Sequence, residues 1–214
     1  MQAKERMTPM RKIIAILLLI CSLASLASCA SKKANANISQ ENKKKMEELF
    51  QKNCSADEAL KLAKESGAVV IEDLTCTSGK DVWESFFRTV SDGNSASVLC
   101  AHYYTIDKDH MSPELYEEEK DDYPCLFFTL LEFDGNMYSI KTRQSNLDTL
   151  EREESFKYLQ HFNGNAPATA LYRTYDRYVL LDEKSENWEE IEAELLSSQY
   201  PSMRKQCWIY TDLT

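Results

Sequence analysis

Apolar positions recur at helical spacing over several stretches of the chain and run together or alternate over others, and the two periods divide it into elements. From Ser39 to Lys52, Met46, Leu49 and Phe50 fall on one side of a helix. Ser55-Ala56-Asp57-Glu58 is a capping box, with Leu60 and Ala63 behind it and Gly67 as the stop. Residues 68–74 then read as a strand. Ser78-Gly79-Lys80-Asp81 is a second cap, leading into a strongly amphipathic helix that carries Val82, Trp83, Phe86, Phe87 and Val90 and ends at Gly93.

Beyond Gly93 the period becomes extended. Ala96 to Ile106 is rich in β-formers, and Pro124 to Phe133 is apolar at nearly every position, as in a central strand covered on both faces. Asp134-Gly135 directly after it signals a hairpin, and Met137 to Thr142 returns with Tyr138 and Ile140 on one face. Further extended runs are Phe156 to Phe162 and Ala170 to Leu181. Asn187 caps a last helix with Trp188, Ile191 and Leu195 as its buried stripe, and Gln206 to Tyr210 is a terminal strand. The expected fold is α+β: one domain over residues 39–214, with a mainly antiparallel five- or six-stranded sheet and helices packed on one face.

The N-terminus follows a different logic. Lys4, Arg6, Arg11 and Lys12 precede an apolar run from Ile13 to Leu26. A run of about that length falls short of roughly 30 Å of hydrocarbon and has the form of a signal peptide. It closes on Leu26-Ala27-Ser28-Cys29, which resembles the lipobox of bacterial lipoproteins. That resemblance implies cleavage after residue 28 and a diacylglyceryl thioether on Cys29. Acyl chains gathered on one cysteine hold a domain at a membrane without a spanning helix. Residues 29–38 are small and polar, a lipidated tether of roughly 15–20 Å reach. The expected location is the extracytoplasmic side of the cell membrane.

Charge sharpens this picture. The whole chain carries −10, from 25 bases and 35 acids. Removing residues 1–28 takes away four bases and one acid and leaves −13. Lys32, Lys33, Lys43, Lys44 and Lys45 against Glu41 then leave a body of −17. Nucleic acid is excluded as a partner by such a surface. With 43% apolar residues the chain buries a core, so general disorder is excluded as well.

Five cysteines remain in the exported part, Cys54, Cys76, Cys100, Cys125 and Cys207. An odd number leaves at least one free thiol in a monomer, and their apolar contexts suit small buried hydrophobes. With no C-x-x-C pair and with His102, His110 and His161 scattered, zinc is not expected. The elbow of serine hydrolases, the S-x-x-K and H-E-x-x-H signatures and the phosphate-binding loop are all missing from the sequence, and no cofactor is expected. A cell-envelope hydrolase with an unrecognised site is the alternative; Cys100 or Cys76 beside His102 would be its nucleophile.

The most distinctive chemistry is the acidic loop from Asp107 to Asp122. Read as a calcium loop starting at Asp107, it has Asp109 and Glu118 in place, but Met111, Ser112 and Pro113 break the pattern, so no metal is expected. Its other use is as a partner-binding surface formed by Glu117, Glu118, Glu119, Asp121 and Asp122 with Tyr103, Tyr104 and Tyr123 beside it. The occupant would be an extracellular protein or peptide. Trp83-Glu84-Ser85-Phe86-Phe87, Asp121-Asp122-Tyr123-Pro124, Phe133-Asp134-Gly135, Tyr178-Val179-Leu180-Leu181 and Asn187-Trp188-Glu189-Glu190-Ile191 together resemble a family of small exported bacterial proteins without an assigned activity. That resemblance implies export and a compact domain.

Overall fold

A computed structural model describes residues 43–196 and 204–214. The chain divides into two compact units, Met1–Lys44 and Lys45–Thr214, and only residues 43 and 44 of the first are described. Cys29 and the segment read as signal and tether lie outside the described residues. Among the described residues no helix is long and apolar enough to cross a membrane.

The elements follow in the order α1 (residues 43–51), α2 (Ala56–Ser66), β1 (Val69–Glu72), β2 (Thr75–Ser78), α3 (Lys80–Ser91), β3 (Ala96–Tyr104), α4 (Pro113–Glu119), β4 (Cys125–Phe133), β5 (Tyr138–Gln144), β6 (Arg152–Phe156), β7 (Tyr158–Asn165), β8 (Thr174–Leu181), α5 (Trp188–Leu196) and β9 (Gln206–Leu213). Local chemistry explains many of the boundaries, though not the start of α3, where Gly79 holds the cap position and no side chain makes the expected cap bond. Ser55 accepts from the Glu58 amide to open α2. At its other end Gly67 takes a left-handed conformation, and the Ala68 amide reaches back to the Ala63 carbonyl. At the Asp134-Gly135 hairpin the Asp134 carboxylate accepts from the amides of Asn136 and Met137, both at 2.8 Å.

The α+β class holds. Six strands form one sheet in the order β2-β1-β3-β4-β5-β6, antiparallel except for the β1–β3 pair, and β7-β8-β9 form a second, antiparallel sheet. The expected single sheet is therefore two. The break falls at Lys157: Phe156 still pairs with Tyr138, whereas the Lys157 amide already donates to the Leu181 carbonyl and Tyr158 pairs with Leu181. One continuous extended run serves both sheets. On the opposite side, Leu213 donates to the Leu74 carbonyl and the Thr75 hydroxyl donates to the Leu213 carbonyl, so β9 is tied to the β1–β2 turn.

Helices cover both faces of the large sheet, not one. Val70, Leu99, Ala101, Leu126, Phe128 and Leu130 face Leu49 and Phe50 of α1 and Ala59 and Ala63 of α2. Val69, Ile71, Val98, Leu131 and Ile140 face Trp83, Phe86 and Val90 of α3 together with Tyr178, Leu180 and Tyr210 of the small sheet. Strand alternation dictates this split, because β3 and β4 are apolar on both sides and each side must be covered. Trp83 stacks on Tyr210 at 4.8 Å and meets Tyr178 edge-on at 5.0 Å, which locks α3 between the sheets. Helix α5 covers the outer face of the small sheet through Trp188 and Ile191. There the buried Arg177 guanidinium lies over Trp188 at 4.3 Å and Trp208 at 5.1 Å.

Candidate functional site

The acidic segment is not a loop. Asp107 accepts from the Asp109 amide and pairs with His110 at 2.6 Å to form a single 3-10 turn. Ser112 then accepts from the Leu115 amide, Pro113 occupies the first turn, and Glu114 meets the positive end of α4. The residues that break the calcium pattern are thus a helix cap and a helix start. A second 3-10 turn, Lys120–Asp122, and a cis Tyr123–Pro124 bond lead into β4.

This return places the segment across one end of the large sheet. Tyr104 pairs with Cys125, and Phe127 pairs with His102 on one side and Gln144 on the other, so all five face the side toward the small sheet. Tyr104, Phe127, Cys125 and Gln144 form the walls of an open cleft of about 440 Å³. Glu119, Asp122 and Tyr123 from the helical segment complete it. Tyr104 meets Phe127 edge-on at 6.3 Å. Burial pushes the Tyr123 phenol above its ordinary pKa, and Cys125, Glu119 and Asp122 add to the shift, which places both carboxylates in its electrostatic reach. The Tyr104 phenol is raised first by burial and then by Cys125 and Cys207. Among the described residues no basic side chain pairs with Glu118, Glu119, Asp121 or Asp122, whereas Glu117 pairs with Lys120.

The cleft gathers Tyr104, Glu119, Asp122 and Tyr123 from the surface expected from sequence, and leaves four residues outside. Tyr103 points to the opposite face, where its hydroxyl donates to Asp57 at 2.7 Å and its pKa is pushed up to about 12 by burial and by Asp57. Glu117, Glu118 and Asp121 lie on the exposed side of the segment. Phe127 and Gln144 were not singled out in the sequence. β4 reads as apolar throughout, and only its register with β3 and β5 brings these two beside Tyr104.

The thiol chemistry is of a different kind. Cys54, Cys76, Cys100, Cys125 and Cys207 are all free. Burial raises the pKa of Cys76, Cys100 and Cys207, the opposite of what an activated nucleophile requires. His102 lies two residues from Cys100 on the same face of β3; it is half-buried, and burial lowers its pKa to about 4. It is a neutral imidazole, and no hydrogen bond joins it to a thiol among the described residues. His161 belongs to the other sheet, bonded to Asp176 at 2.5 Å and stacked on Tyr178 at 4.1 Å. Among the described residues no group of three His, Cys, Asp or Glu side chains is placed to hold a metal ion. Comparison with protein families, with curated proteins and with solved structures finds no match.

Proposed function

We propose that the chain is an exported lipoprotein, held at the extracytoplasmic face of the membrane through Cys29, whose folded domain is a non-catalytic binding module for a cationic group of an extracellular protein or peptide. The observation that carries this reading is the convergence of Tyr104, Tyr123 and Phe127 with the unpaired Glu119 and Asp122 in one open cleft. Aromatic faces and carboxylates attract an ammonium or guanidinium group from two directions, and a cation over a ring contributes about 0.5–1 kcal/mol at an exposed site. The acidic body steers such a partner toward the cleft at long range. A hydrolase gains no comparable support: its best dyad would need a depressed thiol pKa, and here burial raises it.

Titrating the full chain with a fluorescent lysine-rich peptide tests the reading. Affinity falls as ionic strength rises. Tyr104→Ala and Tyr123→Ala each weaken binding about threefold, the equivalent of a single exposed cation–aromatic contact. The pair Glu119→Gln and Asp122→Asn slows association more than it speeds dissociation. Equal binding by wild type and all these variants refutes the site. The anchor has its own readout: labelled palmitate enters the wild type and not Cys29→Ala, and equal labelling of the two refutes lipidation.

A further inference from the structure

A second cleft, of about 420 Å³, lies at the other end of the same strands. Its lining includes Phe133 and Tyr138, whose rings stack at 4.5 Å. Phe133 is six residues along β4 from Phe127, so the two clefts are separated by roughly 20 Å of extended chain. Phe87 and Val90 of α3 and Leu159 of β7 complete an apolar floor.

Two lysines belong to the same lining. Lys157 sits at the crossover between the sheets and Lys184 in the β8–α5 connection. Both stand on backbone that is hydrogen-bonded to the small sheet. The Lys157 amide is bonded to the Leu181 carbonyl at 3.1 Å. The segment bearing Lys184 is clamped to β7 by Gln160, which donates to the Ser185 carbonyl at 2.9 Å and accepts from the Ser185 amide at 2.8 Å. The Lys184 ammonium lies over the Tyr158 ring at 5.1 Å. Neither ammonium is paired with a carboxylate among the described residues, and the lining contains no acidic residue. On a body of −17, two unpaired lysines at the rim of an apolar floor define a local field opposite in sign to that of the whole.

We propose that this cleft binds an amphipathic anion, one negative head group carried on a short apolar body. The apolar body replaces water on Phe87, Phe133 and Leu159, where each buried methylene is favourable. The head group meets Lys157 and Lys184. A cation is repelled at this rim, and a bare anion finds no use for the floor. The site is independent of the acidic cleft, so either stands without the other.

The probe is 1-anilinonaphthalene-8-sulfonate, itself an aromatic anion, whose fluorescence is followed on the native full chain and then competed. Octanoate displaces it, while octylammonium and inorganic phosphate do not. Lys157 and Lys184 are exposed, so Lys157→Gln/Lys184→Gln keeps the wild-type thermal unfolding and weakens octanoate about tenfold, two surface charge contacts of about threefold each. Phe87→Leu, which trims the floor and keeps it apolar, weakens the dye and leaves the preference for octanoate over octylammonium. Equal displacement by octylammonium, displacement by phosphate alone, or an unchanged octanoate affinity in the double lysine variant overturns the proposal.

Discussion

Arg143 is the residue whose role the sequence conceals most completely. It stands in β5 among polar neighbours, yet only 2% of it is exposed and no carboxylate pairs with it among the described residues. Its guanidinium donates to backbone carbonyls instead: Phe50 and Lys52 at the C-terminal end of α1, Gln144 at the end of β5 and Leu147 beyond it. The negative end of the helix is thus its counter-charge. Arg143→Ala takes the donor from four backbone carbonyls, that of Phe50 buried and the other three partly so, and costs about 3–5 kcal/mol of unfolding free energy in urea titrations. Arg143→Lys falls between, because an ammonium cannot reach carbonyls on both sides of a planar fork.

His102 gives a pH signature at the same scale. Its pKa falls from 6.5 in the unfolded chain to about 4 in the folded one, so below 6.5 the unfolded state binds the extra proton. The stabilisation from keeping the ring neutral is complete above about 6.5 and is lost as pH falls toward about 4, with a slope of at most about 1.4 kcal/mol per pH unit. His102→Asn removes that part of the pH dependence. A difference between the two unfolding curves that does not change between pH 7 and pH 4.5 would refute the assignment.

Among the elements, the β2–α3 junction is the most tightly constrained. Gly79 adopts φ +74°, and a Cβ there would stand 2.4 Å from the Ala68 carbonyl oxygen and 2.8 Å from the Val69 Cα. Both obstacles are backbone and cannot swing aside. Gly79→Ala is expected to cost about 2–3 kcal/mol in thermal unfolding, combining left-handed strain with displacement of β1. Gly67 offers the comparison: its φ is +74° too, but nothing lies within 4 Å of its would-be Cβ, so Gly67→Ala costs about 1 kcal/mol. Helix α4 shows why an acidic run reads as a loop in the sequence. Its seven residues bury no side chain, so it has no apolar stripe, and its signal is only the Ser112 cap with Pro113 behind it. β2 escaped for a related reason. It is half-buried at the sheet edge and is reached through Asp73 and Leu74, both at positive φ without being glycine, with Asp73 fixed by the Thr105 amide and hydroxyl.

Across the whole molecule, the two clefts sit at opposite ends of one set of strands and carry opposite charge. The large sheet supplies the shared floor, while the edges differ in what crosses them: an acidic helical segment at one end, and a strand crossover with a pinned connection at the other. Asp212 of β9 ties the frame together, accepting from the Cys76 amide and from the Lys80 ammonium, each at 3.1 Å. Its hydrogen bond to Lys80 raises that lysine's pKa.

What the amino-acid sequence determined by itself was local. The Ser55 cap before α2, the amphipathic stripe of α3, the apolar run of β4 and the Asp-Gly turn after it depend on neighbours within a few residues, and each stands where the pattern put it; of the capping box only the Ser55 half forms, because the Glu58 carboxylate pairs with Lys52. So does the α+β class, which follows from the two periods. What tertiary structure decided was everything that requires knowing which strand lies beside which. Tyr103 and Tyr104 are adjacent in sequence and face opposite layers, because side chains alternate along β3, and only pairing with β4 fixes which one meets Phe127. The division of the sheet at Lys157 was equally hidden, since the backbone stays extended through it and the change is one of hydrogen-bond partner. Partners of that kind are separated by tens of residues along the chain, and no periodicity within a single segment records them.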